Sequence, residues 1–311
     1  MVASYQAVLL IAFGGPTSPE EIRPFLARVT QGTAIPPQRL EEVARHYEAV
    51  GGKSPLNEIT SRQARAVQML LRDRGMDLSV YVGMRNTAPF LVDVLRQMTT
   101  DGVERALGFI LSSHRTEASW DKYQRNVADA RLEIGANSPV IDYCAGWHDH
   151  PLFIQTWCER IRESFAGITP EQRPATPLIF TAHSVPLPMA RRSPYVEQLE
   201  ITAGAVAEKI GHKNWSIAYQ SRSGRPGDAW LEPDINTVIR EISVQGATDV
   251  VIAPIGFVCD HVEVLYDLDI EAKKTATQAG INLHRADCPN DHTTFIQMIA
   301  DVIARSVEAS Q

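Results

Sequence analysis

Two segments carry side chains whose types and spacing can do chemistry. In Phe180-Thr-Ala-His183-Ser-Val-Pro186 a histidine follows an apolar run directly, and Pro186 and Pro188 are expected to stop the chain from continuing as a strand or entering a helix at once. Such a histidine stands on a rigid base at a strand end, either as a hydrogen-bonded structural imidazole or as a reactive one. Its unperturbed pKa of about 6.5 lets it take protons near neutrality. The second segment runs from Pro254 to Lys274. Asp260 reads there as a helix N-cap with Glu263 at the capping-box position, and acidic residues early and lysines late suit the helix dipole. Capping does not account for Asp267 and Glu271. With Glu263 they form a row spaced four apart, in which each like-charge contact costs roughly 0.2–0.5 kcal/mol and only Asp269–Lys273 returns a similar gain. A carboxylate row held at that cost suits the handling of a divalent cation in an exchangeable, partly hydrated site. An imidazole and a carboxylate at two strand ends would make a mixed nitrogen–oxygen site. Ferrous iron, low in the divalent affinity series, would be held there loosely. Loosely held metal beside a proton acceptor is what inserting a metal into a tetrapyrrole requires.

These residues need rigid elements beneath them. Apolar runs at 7–13, 79–84, 106–112, 140–143, 177–182, 215–220, 249–254 and 281–285 read as strands. Amphipathic patterns at 19–29, 38–49, 60–72, 89–99, 119–132, 151–165, 196–209, 232–244 and 261–278 read as helices, with a last one at about 291–307. This alternation is the signature of α/β structure, with parallel sheets covered by helices. Gly108-Phe-Ile-Leu-Ser-Ser-His114 echoes Pro177-Leu-Ile-Phe-Thr-Ala-His183, and the stretch from Trp147 to Pro151 marks a crossing between halves. The expectation is two similar α/β lobes, 1–147 and 148–288, each with a sheet of about four strands and a cleft between them. A C-terminal helix within 289–311 would pack back. Ligands in such folds bind beyond the carboxyl ends of the strands, and His114 would line that region or serve structure.

Composition narrows the field. The 311 residues carry 30 basic and 37 acidic side chains, net −7, with no Lys/Arg block, which argues against a nucleic-acid partner. Cys144, Cys158, Cys259 and Cys288 are scattered singly, so neither a disulfide framework nor a closed zinc site follows and a reducing compartment is expected. The apolar run near the N-terminus is too short to span a membrane and has no basic leader, so a cytoplasmic protein without a transmembrane segment is expected. Trp147-His148-Asp149-His150 reads as a solvated polar stretch. Phe13-Gly-Gly-Pro16 lacks the further glycine and the lysine of a phosphate loop, and its glycines suit close approach of backbone to a flat ligand.

Five motifs in order give the chain a family likeness: Leu10-Ile-Ala-Phe-Gly-Gly-Pro16, His46-Tyr-Glu-Ala-Val-Gly-Gly-Lys-Ser-Pro-Leu56, Phe180 to Pro186, Tyr219-Gln-Ser-Arg-Ser-Gly224 with Trp230-Leu-Glu-Pro233, and Pro254 to Glu271. Along nearly its whole length the sequence resembles the ferrochelatases, most of all the soluble coproporphyrin ferrochelatases of Gram-positive type. The resemblance implies two Rossmann-like lobes of the chelatase fold and insertion of ferrous iron into coproporphyrin III to give iron-coproporphyrin in heme biosynthesis. It implies that His183 contacts the metal and takes pyrrole protons, that Glu263 is its partner carboxylate, and that Asp267 and Glu271 form an outer metal site or entry path on a helix widened into a π-turn. It implies substrate contacts at Phe13, Thr30, His46, Tyr47, Ser54 and Tyr123. Iron enters as substrate, no organic cofactor is needed, and a monomer binding porphyrin and divalent iron is expected.

The departures from the family are informative. Phe13 stands where many coproporphyrin enzymes carry a tyrosine able to approach the product iron, so product should be held less strongly. Thr30 and His46 replace basic residues common in the pocket, so the propionate anchors are open: Arg28, Arg45, Lys53 or Arg115 are the candidates to substitute, and each reads more readily as an ordinary surface charge. Nothing after Cys288 could supply the clustered cysteines with which some actinobacterial relatives hold an iron–sulfur cluster, so none is expected. A protoporphyrin IX ferrochelatase, a cobalt chelatase for sirohydrochlorin and a porphyrin carrier without turnover are the competing readings. The polar stretch from Thr30 to His46, in place of an apolar lip, favours the more carboxylated substrate.

Overall fold

The structure, a computed structural model, describes residues 4–32, 35–223 and 227–310. Gly224 of the fourth motif, and Thr33 and Ala34 of the polar stretch, lie outside the described residues. The chain forms two compact units: Met1–Ser112 with Ala118–Gly146 and Asp291–Gln311, and Ser113–Glu117 with Trp147–Asn290.

The first unit runs β1 (Ala7–Ala12), α1 (Pro19–Val29), α2 (Pro37–Ala49), α3 (Leu56–Asp73), β2 (Ser79–Met84), α4 (Leu91–Thr100), β3 (Arg105–Ile110), a π-turn (Glu117–Asp121), α5 (Lys122–Ile134) and β4 (Val140–Tyr143). The second runs α6 (Pro151–Ser164), β5 (Leu178–His183), α7 (Leu187–Arg191), α8 (Tyr195–Ile210), β6 (Trp215–Gln220), α9 (Ile235–Val244), β7 (Asp249–Ala253), α10 (Val262–Tyr266), a π-turn (Asp267–Ala272), α11 (Lys273–Gln278) and β8 (Asn282–Arg285). The last helix, α12 (Thr293–Glu308), packs on α3 and belongs to the first unit. Among the described residues no helix is long and apolar enough to cross a membrane.

Each unit holds one four-stranded, all-parallel sheet, ordered β2-β1-β3-β4 in the first and β6-β5-β7-β8 in the second. Every residue of β1 is buried, as expected for a central parallel strand covered on both faces. Ala7, Leu9 and Ile11 pack on Leu91, Leu95 and Met98 of α4 and on Val127 of α5. In the second unit Ile179, Val250 and Ile252 pack on Ile235 and Ile239 of α9 and on Val264, Leu268 and Ala276 of the helix after β7. The expected α/β class with two four-stranded parallel sheets is what the chain forms.

The internal echo is different from the one the sequence suggests. The matching strand orders make β5 the counterpart of β1, whereas the sequence likeness pairs β5 with β3. All three are buried apolar runs, and similarity among such runs reports burial, not position. His114 accordingly does not stand at an equivalent strand end. It is buried and counted with the second unit, between Ser113 Oγ at 2.8 Å and Thr202 Oγ1 at 3.0 Å, which is the structural role.

Candidate active site

In the second unit the chain order reverses at β5, which lies between β6 and β7, so the carboxyl ends of β5 and β7 bracket a topological switch point. His183 is the last residue of β5 and half-buried. The chain leaving β7 turns through Gly256 and enters α10, whose second residue is Glu263. The two side chains meet there, His183 Nε2 standing 3.7 Å from Glu263 Oε1. His183 Nδ1 contacts the carbonyl oxygen of Ser184, which can only accept, so Nδ1 carries the hydrogen and Nε2, on the side of Glu263, is left with its lone pair. Tyr195 donates to the His183 carbonyl at 3.0 Å, and burial holds that phenol well above its ordinary pKa, so it stays a donor.

Two residues that the sequence reading passed over fix this geometry. Gln220 pairs with His183 in the β5–β6 register, accepts from Thr181 Oγ1 at 2.9 Å and donates to the Glu263 carbonyl at 2.8 Å, so one buried amide ties both ends of the pair. Gly256 lets the loop lie against β5: its N–H donates to the Thr181 carbonyl at 3.1 Å, and a Cβ there would stand 2.7 Å from the Ala182 Cβ.

The acidic helix departs from its expected local chemistry. Asp260 is not the N-cap; His261 is, its Nδ1 accepting from the Glu263 N–H at 3.2 Å. Burial foremost, with His183 adding to it, holds His261 below its ordinary pKa, which keeps Nδ1 an acceptor. Asp260 instead takes Arg285 Nη1 at 2.9 Å, and Asp269 pairs with Arg285 and not with Lys273. Asp267 is buried and its Oδ2 bonds the hydroxyl of Ser221, a residue held at φ +64°. Glu271 is exposed on the π-turn Asp267–Ala272, at the place where the resemblance implies one. Among the described residues no three His, Cys, Asp or Glu side chains converge to hold a metal ion.

Other expectations about this unit also change. A helix, α7, does begin directly after Pro186; Pro186 is its N-cap and Pro188 lies in its first turn, where a missing N–H costs nothing. The stretch from Trp147 to His150 is solvated only at Asp149: Trp147 is 1% exposed, His148 is half-buried, and His150 is buried as the N-cap of α6, accepting from the Leu152 N–H at 3.2 Å.

In the first unit a second group gathers at the carboxyl ends of β1 and β2. Phe13 follows β1, and its ring packs edge-on against Phe25 at 6.1 Å, which in turn meets Tyr47 at 5.9 Å. The Arg85 guanidinium, just beyond β2, lies 4.5 Å from the Tyr123 ring centroid and 5.4 Å from that of Phe13. Its Nε donates to Asn126 at 2.7 Å, while Nη1 is buried without a hydrogen-bond partner. Burial, with Arg85 and Arg125 nearby, holds the Lys122 ammonium below its ordinary pKa. Ser54 is buried, and its backbone N–H donates to the Pro16 carbonyl at 2.8 Å; a Cβ on Gly15 would stand 2.6 Å from the Ser54 Cβ, so the glycine permits this approach. Thr30 closes α1, donating to the Leu26 carbonyl at 2.7 Å. His46 is half-buried on α2, and burial foremost lowers its pKa. Of the cations considered from sequence, Arg45, Lys53 and Arg115 are exposed, and Arg28 donates to the Asn86 carbonyl at 2.9 Å. Arg85 was missed, although a basic residue directly after an apolar strand is a readable signal.

Two α/β units of this strand order, with an imidazole and a carboxylate at a switch point, define a protein of the chelatase fold. The chain superposes with a TM-score of 0.55 on the sirohydrochlorin chelatase SirB of Bacillus subtilis subspecies spizizenii in complex with cobalt, at 10% identity, covering 98% of this chain and 96% of that one. That likeness concerns the fold alone. The sequence pattern of the family described as ferrochelatase matches residues 5–307. A coproporphyrin III ferrochelatase of Mycolicibacterium smegmatis is 38% identical over 303 residues, covering 96% of this chain and 89% of that protein. A ferrochelatase of Rhodopirellula baltica is 39% identical over 301 residues, covering 96% and 85%. The chain belongs to the ferrochelatase family.

Proposed function

We propose that the protein inserts ferrous iron into coproporphyrin III. Full-length relatives bearing that activity in their names support the substrate, and the His183–Glu263 pair at 3.7 Å is the observation that carries the chemistry. Insertion replaces two pyrrole N–H protons by one divalent ion, so the site must remove two protons for each iron it delivers. His183 is prepared for this: with Nδ1–H directed at the Ser184 carbonyl, Nε2 accepts the two protons one at a time and releases each to solvent from its partly exposed ring, while the Glu263 carboxylate stabilises the imidazolium that forms. Glu263, followed by Asp267 and Glu271 on successive turns, guides the cation. Two convergent ligands, fewer than a resident metal requires, suit iron in passage.

Phe13, Tyr47, Ser54 and Tyr123, with Thr30 and His46, are the substrate-contacting residues in this reading, and Arg85 supplies the missing anion anchor. Its unpartnered Nη1 beside two aromatic rings suits a carboxylate on the rim of a flat ring system. We further take the enzyme as a cytoplasmic monomer of lobes 1–147 and 148–288 with a returning helix in 289–311, and with neither an organic cofactor nor an iron–sulfur cluster. The four cysteines support the last point: they stand singly in the sequence, without the close spacing that holds a cluster.

The test is anaerobic iron insertion followed by absorbance, with coproporphyrin III and protoporphyrin IX side by side. Turnover with preference for coproporphyrin supports the reading. Preference for protoporphyrin overturns the substrate, and tight porphyrin binding without any insertion overturns the reaction.

A further inference from the structure

The segment 260–271 carries five carboxylates, Asp260, Glu263, Asp267, Asp269 and Glu271, and a single guanidinium divides them. Arg285, at the end of β8, has a side chain only 12% exposed. Its Nε and Nη2 meet the two oxygens of Asp269 at 2.6 and 3.0 Å, and its Nη1 meets Asp260 Oδ1 at 2.9 Å. Nη1 also donates to the Ala286 carbonyl at 3.2 Å and lies 3.6 Å from Asp287. Asn290 completes the hold on Asp260, donating to Oδ2 at 2.6 Å and accepting from the Asp260 N–H at 2.8 Å.

One planar fork therefore grips the chain on both sides of Glu263: at Asp260, just before the helix, and at Asp269, inside the π-turn. The fork is anchored in turn, because β8 is paired with β7, the strand that leads into this same segment. Fixed guanidinium geometry is what a bidentate clamp requires, and a lysine supplies the charge without the fork. The clamp also has an electrostatic effect. Carboxylates beside a cation path compete for the cation, and the bound guanidinium occupies three of the four oxygens of the two it holds and offsets one of their two charges.

We propose that Arg285 is a positioning residue for metal delivery: it fixes the segment bearing Glu263 and withdraws Asp260 and Asp269 from binding the incoming divalent ion. This rests on the iron-insertion reading above.

The experiment is steady-state insertion kinetics on the full chain with ferrous iron and porphyrin varied separately, for wild type, Arg285→Lys, Arg285→Met and the triple variant Arg285→Met/Asp260→Asn/Asp269→Asn, with thermal unfolding run alongside. In Arg285→Lys the KM for iron is expected to rise about tenfold, the scale of a lost hydrogen bond between charged groups, with the KM for porphyrin unchanged. Arg285→Met is expected to add inhibition by excess iron, which the triple variant relieves. Unchanged iron KM in folded Arg285→Lys, or iron and porphyrin KM rising together with a lowered Tm, overturns the inference. So does excess-iron inhibition that the asparagines leave in place. Should Arg285→Met fail to fold, Arg285→Lys alone decides. A wild-type protein that inserts no iron overturns the underlying reading instead.

Discussion

His183 Nε2 and Glu263 Oε1 stand 3.7 Å apart, outside hydrogen-bonding distance and close enough to hold a metal ion between them. The separation is set from below. Gln220 fixes β6 against His183 and holds the Glu263 carbonyl, so the backbones that carry the two side chains are held in place by the sheet. His183→Ala and Glu263→Gln should each lower kcat by about 10²–10⁴, the usual contribution of a positioned acid or base, while porphyrin still binds as read by fluorescence quenching. Equal loss of binding and turnover would make the pair structural.

Arg85 lies between the Phe13 and Tyr123 rings with Nη1 unpartnered. A carboxylate reaching that nitrogen would complete a charge-assisted bond, which contributes about 1.5–3 kcal/mol. Arg85→Met should therefore raise the KM for coproporphyrin about tenfold or more, with kcat much less affected. The preference over the less carboxylated protoporphyrin should shrink with it. An unaltered preference would place the carboxylate anchor elsewhere.

Gly256 is a test of how closely the active pair depends on backbone approach. A methyl group there would press on Ala182, the residue before His183. Overpacking of this kind typically costs about 1–3 kcal/mol, so Gly256→Ala should lower the Tm, and it should lower kcat more than it changes porphyrin binding because the strand end moves. A variant equal to wild type in both would show that the loop yields without disturbing His183.

What was legible in the sequence follows from range. Buried parallel strands such as β1, β5 and β7 are continuous apolar runs and could be read locally, and so could the histidine ending one of them. Helix α7 was hidden because Pro186 and Pro188 read as breakers, although a first turn accepts proline. Asp260 looked like a cap because capping is local, whereas its actual partners, Arg285 and Asn290, come from the end of β8 and the loop after it. Gln220 and Arg85 are single polar residues whose work depends on strand register and on which rings arrive beside them. No spacing rule announces that.

The buried His114 makes stability depend on pH in a definite direction. Its ring nitrogens are occupied by Ser113 and Thr202, and burial foremost, with His148 adding to it, pushes its pKa down to about 3. In the unfolded chain the same imidazole titrates at about 6.5. Above that pH it is neutral in both states and contributes no dependence. Below it the unfolded chain takes a proton that the folded chain refuses, so stability falls by about 1.4 kcal/mol per pH unit on the way to about pH 3. His261, His148 and His46, also lowered chiefly by burial, act with the same sign. Denaturant unfolding at pH 7.5 and 5.5 isolates the histidines, because carboxylates remain ionised across that interval. Wild type should lose at least about 1.4 kcal/mol between the two, and His114→Gln, less stable at pH 7.5, should lose about that much less. Identical slopes in the two proteins would mean that His114 is protonated in the folded state, and its place between two hydroxyls would then need a different account.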